Sequence, residues 1–519
     1  MPDKSETIEI EALVKDPRDR LSENSRVLVI YTGGTIGSAP IDWDDPESPE
    51  IVYPWAKLQE SVKALAEMPF AIDAISFKEP LDSSNVGPKE WRTMAEIIKE
   101  YYAEYVGFVI AHGTDTMVYT ASALSFILAN LAKPVVITGS QIPALKKVRN
   151  DAQQNLITSL LIANYEYSKI PCVPEVCIFF RDKLIRGNRS KKMNASGFSA
   201  FDSLNYPALA TVGDDIDVDV EFTKNGETQD EFHIQPILNT NVLSLDIFPG
   251  LQNSPELYKA ILGWEGMKGL VLKTYGAGNI PTDKNFMAEL QKTVDRGVIV
   301  VNVTQCPEGD VQQGLYETSA VLEDMGVISG QDITHEAALC KLMNILGDDD
   351  IPDKTKKLRF AENLAGEQAC SIYTTVLSAE SMKISCLEDG EPKFRINSTE
   401  IKGFVENRTR IKRCLLRFVG AKIDGLVGAN DESKEKLLLQ VFVNMSRHAE
   451  ADMNSATFGG KFLKSKMAIP QTYTFDLVHT ARTQLKQNST FDVYVGPHDG
   501  VKGTFSWERL ELTLFVEDE

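Results

Sequence analysis

The chain has 519 residues, of which 43% are apolar and 25% are charged. This length predicts more than one domain, and the composition is typical of a globular protein rather than a disordered, collagen-like or disulfide-scaffold chain. The net charge of −20 disfavours a nucleic-acid partner and an anionic membrane surface. No apolar run reaches the ~18 residues that a membrane span needs. The polar N-terminus predicts no secretory signal, so we expect a cytoplasmic location.

Short β-branched runs alternate with helix-period stretches before residue 366. The runs that predict buried strands are, in chain order, 26–31, 107–111, 134–138, 176–180, 269–273 and 297–303. The stretches that predict helices are 89–105, 116–130, 284–296 and 334–346, the last with Thr334 as its N-cap. This alternation is typical of an α/β protein with parallel, doubly wound sheets.

Two breaks in composition divide the chain into three predicted domains. The acidic segment 213–233 is predicted as a linker between an α/β domain of residues 1–212 and a smaller α/β domain of residues 234–366. Residues 371–519 carry equal numbers of basic and acidic side chains, and their apolar pattern has period two. They predict an accessory antiparallel β-sandwich. Its strands are expected at 393–396, 413–423, 436–445, 471–478, 490–495 and 506–516.

Small polar residues follow most of the predicted strands of the α/β part. Thr-Gly-Gly-Thr follows Tyr31, His-Gly-Thr-Asp-Thr follows Ala111, and Thr-Gln-Cys follows Val303. Any one of these segments could be a simple turn. Because open α/β sheets bind ligands at the carboxyl ends of their strands, several such loops together predict a ligand site at that edge.

The segment 32–38 suits two kinds of chemistry. Its glycines can present backbone N–H groups and its threonines can present hydroxyls, as in a phosphate cradle or around a threonine nucleophile. It lacks the lysine of a phosphate-binding loop. A threonine nucleophile needs a base: His112 is more typical of a structural histidine, and Lys191 or Lys192 would serve only if the fold desolvated it rather than leaving it in a solvated basic loop.

Neither a cofactor nor a metal is predicted. The segment 276–281 lacks the third glycine of a dinucleotide fingerprint, and His335-Glu336 lacks the second histidine of a zinc helix. The seven cysteines are scattered and form no CxxC pair, so reduced thiols are expected.

Seven short motifs occur in order over residues 26–365: 32–38 (TGGTIGS), 81–86 (LDSSNV), 107–117 (GFVIAHGTDTM), 133–143 (KPVVITGSQIP), 184–192 (LIRGNRSKK), 274–281 (TYGAGNIP) and 303–306 (VTQC). This ordered set resembles the bacterial-type L-asparaginase family, and within it the cytosolic type I group. The resemblance implies a two-domain asparaginase-like α/β fold, and the segment after residue 370 lies outside it.

The resemblance also implies the catalytic residues. Thr35 matches the primary nucleophile, which forms an acyl-enzyme. Thr114, Asp115 and Lys192 match a second catalytic cluster in which Lys192 is the base. The implied reaction converts L-asparagine to L-aspartate and ammonia without a cofactor, in a homodimer or homotetramer. Which threonine attacks first is open from the sequence alone.

Substrate binding is implied for a further set of residues. Ser83 and Ser84, with Asp115, match the clamp on the α-carboxylate and α-amino groups of the substrate. Tyr53 is the best candidate for the family's mobile-loop tyrosine, although the segment 42–54 departs from the family pattern. Asn85-Val86 stands where the family has Asp-Met.

A second, allosteric asparagine site is implied less directly. Cys306 matches a family cysteine of that site, but Lys273 replaces the family arginine and Lys191 replaces a threonine. Lysine lacks the planar fork that binds a carboxylate in two places, so weak or absent activation by asparagine is expected.

Three alternatives to asparaginase remain at this point. A glutaminase would share the chemistry, and a lysophospholipase-type hydrolase would need an apolar channel that the sequence does not identify. A non-catalytic asparagine sensor is disfavoured, because a sensor has no need of Lys192.

Overall fold

The structure is a computed structural model of the protein. It describes residues 8–16, 25–42, 45, 47–145, 149–224, 230–235, 237–313 and 317–378, and beyond them 382–385, 393–396, 411–427, 437–443, 458–463, 471–477, 491–497 and 502–516. The chain divides into two compact units. The first comprises Met1–Val311, Ser329–Phe360 and Leu364–Gln368; the second comprises Gln312–Ile328, Ala361–Asn363 and Ala369–Glu519.

An eight-stranded mixed sheet forms the centre of the first unit. Its strands lie in the order Ile216–Val218, Ala210–Val212, Lys183–Arg186, Val176–Phe180, Val135–Thr138, Gly107–Ala111, Arg26–Gly33 and Ala71–Leu81. The five strands from Val176–Phe180 to Ala71–Leu81 are parallel, as predicted. The prediction of a parallel sheet is wrong for the other three, each of which is antiparallel to its neighbour. Only Arg181 and Asp182 separate the strand Val176–Phe180 from the strand Lys183–Arg186. So short a connection permits only an antiparallel hairpin.

A second sheet in the same unit contains three parallel strands, Val242–Asp246, Gly269–Thr274 and Ile299–Thr304. The remaining strands of the α/β part are short: Ser38–Pro40 paired with Glu50–Val52, Leu128–Ala129 paired with His233–Ile234, Lys191–Lys192 paired with Phe201–Asp202, and Ile328–Ser329. The segment predicted as a linker thus contributes the outermost strand of the large sheet and one strand of a small ribbon, while its residues 225–229 lie outside the described part of the chain.

The helices lie between the strands in chain order. They are Trp55–Ser61, Ala64–Glu67, Pro88–Tyr101, Met117–Ile127, Ala152–Ala163, Tyr165–Ser168, Pro255–Leu262, Lys284–Asp295, Glu317–Asp324, His335–Gly347 and Asp353–Ala361. Single 3-10 turns occur at Thr35–Gly37, Ser83–Asn85, Gly187–Arg189 and Leu251–Asn253. The four predicted helices are confirmed, and the Thr334 hydroxyl accepts a hydrogen bond from the Ala337 N–H at 3.1 Å, as an N-cap does.

The core of the first unit surrounds the large sheet. Residues Val27 to Tyr31 and Phe108 to Ala111 are completely buried, because helices cover both faces of the central strands. Each fully buried Val, Leu or Ile side chain contributes about 1.5–3 kcal/mol to folding. These rigid central strands carry the loops described below.

The second unit includes the helix Glu317–Asp324, and its described residues after 370 form antiparallel strands, as the period-two pattern predicts. They are Ser371–Ser378, Met382–Ser385, Lys393–Ile396, Ile411–Val427, Leu437–Val443, Phe458–Leu463, Gln471–Asp476, Phe491–Pro497, Lys502–Trp507 and Arg509–Val516. The predicted strand at 506–516 is interrupted at Glu508. Several predicted strand ends (436, 444, 445, 478 and 490) lie outside the described residues.

Three further expectations concern single features. Six cysteines are free thiols in the described part of the chain, and Cys386 lies outside it. Within the described ranges, no three His, Cys, Asp or Glu side chains come together in a way that could hold a metal ion. None of the helices that the structure describes is long and apolar enough to cross a membrane.

Candidate active site

Two glycines bring the loops after neighbouring strands into contact. Gly34 follows the strand Arg26–Gly33 with φ of 84°, in the left-handed region that favours glycine. A Cβ at Gly34 would lie 2.3 Å from the Cα of Gly113, which follows the adjacent strand Gly107–Ala111. Only glycine fits at so close an approach. The close contact of Gly34 with Gly113 places Thr35, the residue after Gly34, beside the segment that carries Thr114 and Asp115. Thr35 begins a 3-10 turn and is partly exposed.

Lys192 joins these loops from a distant part of the sequence. Its Nζ donates to Thr114 Oγ1 at 2.9 Å and forms an ion pair with Asp115 Oδ1 at 2.6 Å. The Lys192 side chain is 17% exposed, whereas the Asp115 side chain is 65% exposed. Thr114 is buried. The predicted cluster is therefore assembled, with its carboxylate open to solvent.

The loop after the strand Ala71–Leu81 supplies Ser83 and Ser84. Ser83 is buried; its Oγ accepts a hydrogen bond from the Asp115 N–H at 3.2 Å, and its carbonyl accepts one from the Thr116 hydroxyl at 2.6 Å. Ser84 is exposed, and both its N–H and its hydroxyl donate to Asp82 Oδ1 at 2.8 and 2.6 Å. These bonds lower the pKa of the Asp82 carboxyl. The structure thus joins Ser83 to the Asp115 loop and turns Ser84 toward Asp82.

Tyr53 lies next to the Thr35 turn, at the end of the short ribbon formed by Ser38–Pro40 and Glu50–Val52. Its N–H donates to the Gly37 carbonyl at 2.9 Å, and its hydroxyl donates to the Pro40 carbonyl at 3.3 Å. Its own carbonyl accepts from the buried Tyr31 hydroxyl at 2.6 Å. The structure therefore places Tyr53 at the edge of the site, with its hydroxyl bound to the ribbon.

His112 is a buried, neutral histidine, as its structural interpretation predicts. It is completely buried, and burial lowers its pKa to about 4. Its ring nitrogens contact the Gly113 carbonyl at 2.6 Å and Thr120 Oγ1 at 3.0 Å. Sequence reasoning did not identify Thr120 or Trp91, whose indole donates to the same Thr120 oxygen at 2.9 Å. No local motif indicates these contacts, because the residues come from two different helices.

The candidate allosteric residues lie at the ends of two paired strands. Lys273 is opposite Val303 in the parallel register, and Cys306 is exposed and lies two residues beyond the end of that second strand, Ile299–Thr304. The Lys273 ammonium forms an ion pair with Asp246 Oδ1 at 2.6 Å. Burial lowers the pKa of the nearby His335; the negative charges of Glu336 and Asp246 oppose this shift, and the positive charges of Lys273 and Lys191 add to it.

With this geometry established, comparison with known proteins assigns the family. The chain belongs to the asparaginase family: the model for the asparaginase N-terminal domain matches residues 26–225, and the model for the glutaminase/asparaginase C-terminal domain matches residues 241–358. This confirms the resemblance that the motifs indicate.

Individual relatives agree with that assignment. L-asparaginase 1 of Escherichia coli (strain K12) is 41% identical over 349 residues, which are 66% of this chain and 98% of the relative. The 60 kDa lysophospholipase of Homo sapiens is 35% identical over 370 residues, which are 66% of this chain and 61% of that protein.

Solved structures show the same fold. The L-asparaginase I of Vibrio cholerae O1 biovar eltor has a TM-score of 0.58 at 38% identity, and the match covers 66% of this chain and 99% of that one. A probable cytoplasmic L-asparaginase from Campylobacter jejuni has a TM-score of 0.51 at 25% identity, over 65% of this chain and 99% of that one.

Proposed function

We propose that the protein is an L-asparaginase, which hydrolyses the side-chain amide of L-asparagine to L-aspartate and ammonia. The single observation that carries this proposal is the contact of Lys192 with both Thr114 and Asp115, next to the turn that begins at Thr35. Hydroxyl, amine and carboxylate together provide a nucleophile, a proton acceptor and a partner for an ammonium group.

Thr35 is proposed as the primary nucleophile of a two-step reaction. Its oxygen bonds to the amide carbon, the carbon–nitrogen bond breaks, and the hydroxyl proton leaves with the nitrogen as ammonia. Water then attacks the acyl-enzyme and the ester bond to Thr35 breaks. The water oxygen remains on the aspartate product, one of its protons returns to the Thr35 oxygen, and the other is released from the product carboxyl to solvent. Backbone N–H groups of the glycine-rich turn suit the negative charge that develops on the carbonyl oxygen.

Lys192 is proposed as the base of the second cluster. In the described state it donates to both partners, so it must lose a proton before it can accept one from Thr114.

The substrate clamp is proposed to consist of Ser83, Ser84 and Asp115. Ser83 is supported by its buried position against the Asp115 N–H. Ser84 would have to exchange its bonds to Asp82 for bonds to the α-carboxylate. Tyr53 would likewise have to release Pro40 to reach a substrate, as a residue of a closing ribbon does.

We also propose the domain layout, the assembly and the regulation of the protein. The catalytic residues are proposed to belong to an N-terminal α/β domain of residues 1–212. A linker at 213–233 joins this domain to a smaller domain at 234–366. The protein is proposed to work as a homodimer or homotetramer in the cytoplasm. The antiparallel sheets of residues 371–519 pack as an accessory β-sandwich. The allosteric site at Lys273 and Cys306 is proposed to give weak or no activation by asparagine. The ion pair between Lys273 and Asp246 supports this, because the Lys273 ammonium already has an anionic partner.

Ammonia release from L-asparagine by the purified protein tests the proposed function. We expect turnover, and we expect Thr35→Ala to lower kcat by about 10²-fold or more. L-glutamine is assayed in parallel as the substrate of the alternative amidohydrolase. A lysophospholipid is assayed as well, because the similarity to the 60 kDa lysophospholipase of Homo sapiens covers 66% of this chain. Tight binding of asparagine with no turnover would identify a sensor and refute the proposal.

A further inference from the structure

A chain of buried hydrogen bonds runs from Trp91 to the backbone of the candidate active site. The Trp91 indole N–H donates to Thr120 Oγ1 at 2.9 Å, Thr120 Oγ1 contacts His112 Nε2 at 3.0 Å, and His112 Nδ1 contacts the Gly113 carbonyl at 2.6 Å. Thr120 and His112 are completely buried, and Trp91 is almost so. None of these side chains belongs to the proposed catalytic or binding set.

The chemistry of the two ends fixes the direction of every bond in the chain. An indole N–H can only donate and a carbonyl oxygen can only accept. His112 Nδ1 must therefore carry the proton that it gives to Gly113, which leaves Nε2 of the neutral ring as an acceptor for the Thr120 hydroxyl proton. Each of the three donors has one acceptor, so a single arrangement satisfies them all.

The far end of the chain is the point where three loops of the site meet. Gly113 is so closely packed that a Cβ there would lie 2.6 Å from Ser83 Oγ, and a Cβ at Gly34 would lie 2.3 Å from Gly113 itself. The His112 N–H is in turn held by the Thr138 carbonyl at 2.8 Å. A rotation of the Gly113 peptide would therefore displace Thr114, the next residue, and press on the turn that begins at Thr35.

The helices that supply the chain begin directly after two of these loops. Trp91 lies in the first turn of Pro88–Tyr101, which follows the loop of Ser83, and Thr120 lies in the first turn of Met117–Ile127, which follows Thr114. The bond between them thus ties both helices together at the ends from which the two loops emerge.

We propose that Trp91, Thr120 and His112 are positioning residues, which fix the Gly113 peptide and thereby hold the Thr114 hydroxyl in line with Lys192. The proposal rests on the proposed asparaginase function for its kinetic readout, but the arrangement of protons is independent of that function. Loss of the chain should affect the chemical step more than substrate binding. Thr114 acts only in the chemistry, whereas Ser83 is also held by the Thr116 hydroxyl at 2.6 Å.

Replacement of the central hydroxyl is the first test. Thr120→Val keeps the shape of the side chain but leaves the Trp91 indole without an acceptor and His112 Nε2 without a donor. We expect kcat on L-asparagine to fall by about tenfold or more, because small displacements of reacting groups are costly, with KM changed less than about threefold. Thr120→Ser, which keeps the hydroxyl, should restore kcat to within about threefold of the wild type.

Thr293→Val is the matched control. Thr293, on the helix Lys284–Asp295, is equally buried, and its hydroxyl donates to the Glu289 carbonyl of its own helix and to the Leu262 carbonyl of the neighbouring helix Pro255–Leu262, outside the proposed site. It should lose stability as Thr120→Val does while keeping its kcat. A folded Thr120→Val protein with kcat within about twofold of the wild type would overturn the proposal.

The second test measures the arrangement of protons and does not depend on the activity of any variant. Nitrogen-15 NMR of the histidine-labelled wild-type protein at pH 7 should give one neutral ring with a protonated Nδ1 and an unprotonated Nε2, assigned to His112 because Thr120→Ser or Trp91→Phe shifts it. A His112 ring protonated at Nε2 would reject the chain whatever the kinetics. If the wild-type protein released no ammonia, the proposed function would fail, while the NMR result would still decide the proton arrangement.

Discussion

Replacement of Lys192 by methionine separates catalysis from stability more sharply than any other change in this site. Methionine keeps the length of the side chain but removes both the hydrogen bond to Thr114 and the ion pair with Asp115. The ion pair involves a largely exposed carboxylate, so its loss should lower the free energy of unfolding by no more than about 1 kcal/mol. The hydrogen bond to the buried Thr114 adds about 1 kcal/mol.

The kinetic effect of the same change should be much larger. Loss of a positioned base typically costs about 10²–10⁴-fold in rate, which is roughly 2.7–5.4 kcal/mol of activation free energy. Ammonia release by the purified variant at saturating asparagine measures kcat, and thermal unfolding of the same sample measures stability. We therefore expect a protein that unfolds within a few degrees of the wild type but has lost at least about 99% of its turnover.

Lys183→Met provides the matched control for this experiment. Lys183 forms an exposed ion pair with Asp202 at 3.0 Å, so the chemical change is the same but no proposed catalytic group is touched. It should be at least as stable as Lys192→Met, because it loses an ion pair but no hydrogen bond to a buried hydroxyl, and it should turn over like the wild type. A folded Lys192→Met protein with near-normal kcat would refute the role of Lys192 as the base.

Other predictions concern the substrate, the domain boundary and regulation. Asp115→Asn should reduce the rate penalty for asparagine analogues that lack the α-amino group; an unchanged penalty in this double comparison would reject the pairing. A chain of residues 1–368 should fold and release ammonia, because both family matches end by residue 358; a soluble but inactive fragment would contradict this. Glu367→Gln should cost roughly 3–5 kcal/mol in urea unfolding, because Lys341 would lose a completely buried partner at 2.5 Å. Burial alone would raise the pKa of Glu367, but the Lys341 charge and backbone N–H donors hold it below its ordinary value, so this stabilisation is present at neutral pH and is lost as the pH falls through that lowered pKa. Rates against asparagine concentration should be hyperbolic; a sigmoidal curve that Cys306→Ala abolishes with kcat retained would show the opposite.

The sequence by itself determines those strands, helices and motifs that a pattern within a few neighbouring residues specifies. The strand Gly107–Ala111 and the helix Lys284–Asp295 follow from short apolar runs and helical periodicity, and the structure has them within a residue of the prediction. The family follows from seven short motifs in order, each read within a few residues. The strand Ala71–Leu81 was missed because its polar residues Asp73, Ser76 and Lys78 break any simple pattern.

Only the tertiary structure decides which distant residues meet. Lys192 reaches Thr114 across 78 positions, and Trp91 reaches Thr120 across 29. The antiparallel edge of the large sheet and the turn of Ser84 toward Asp82 are likewise absent from the prediction. A motif specifies which groups are present, but their contacts depend on the order in which strands pack, and that order is set by burial of the whole core rather than by any one segment.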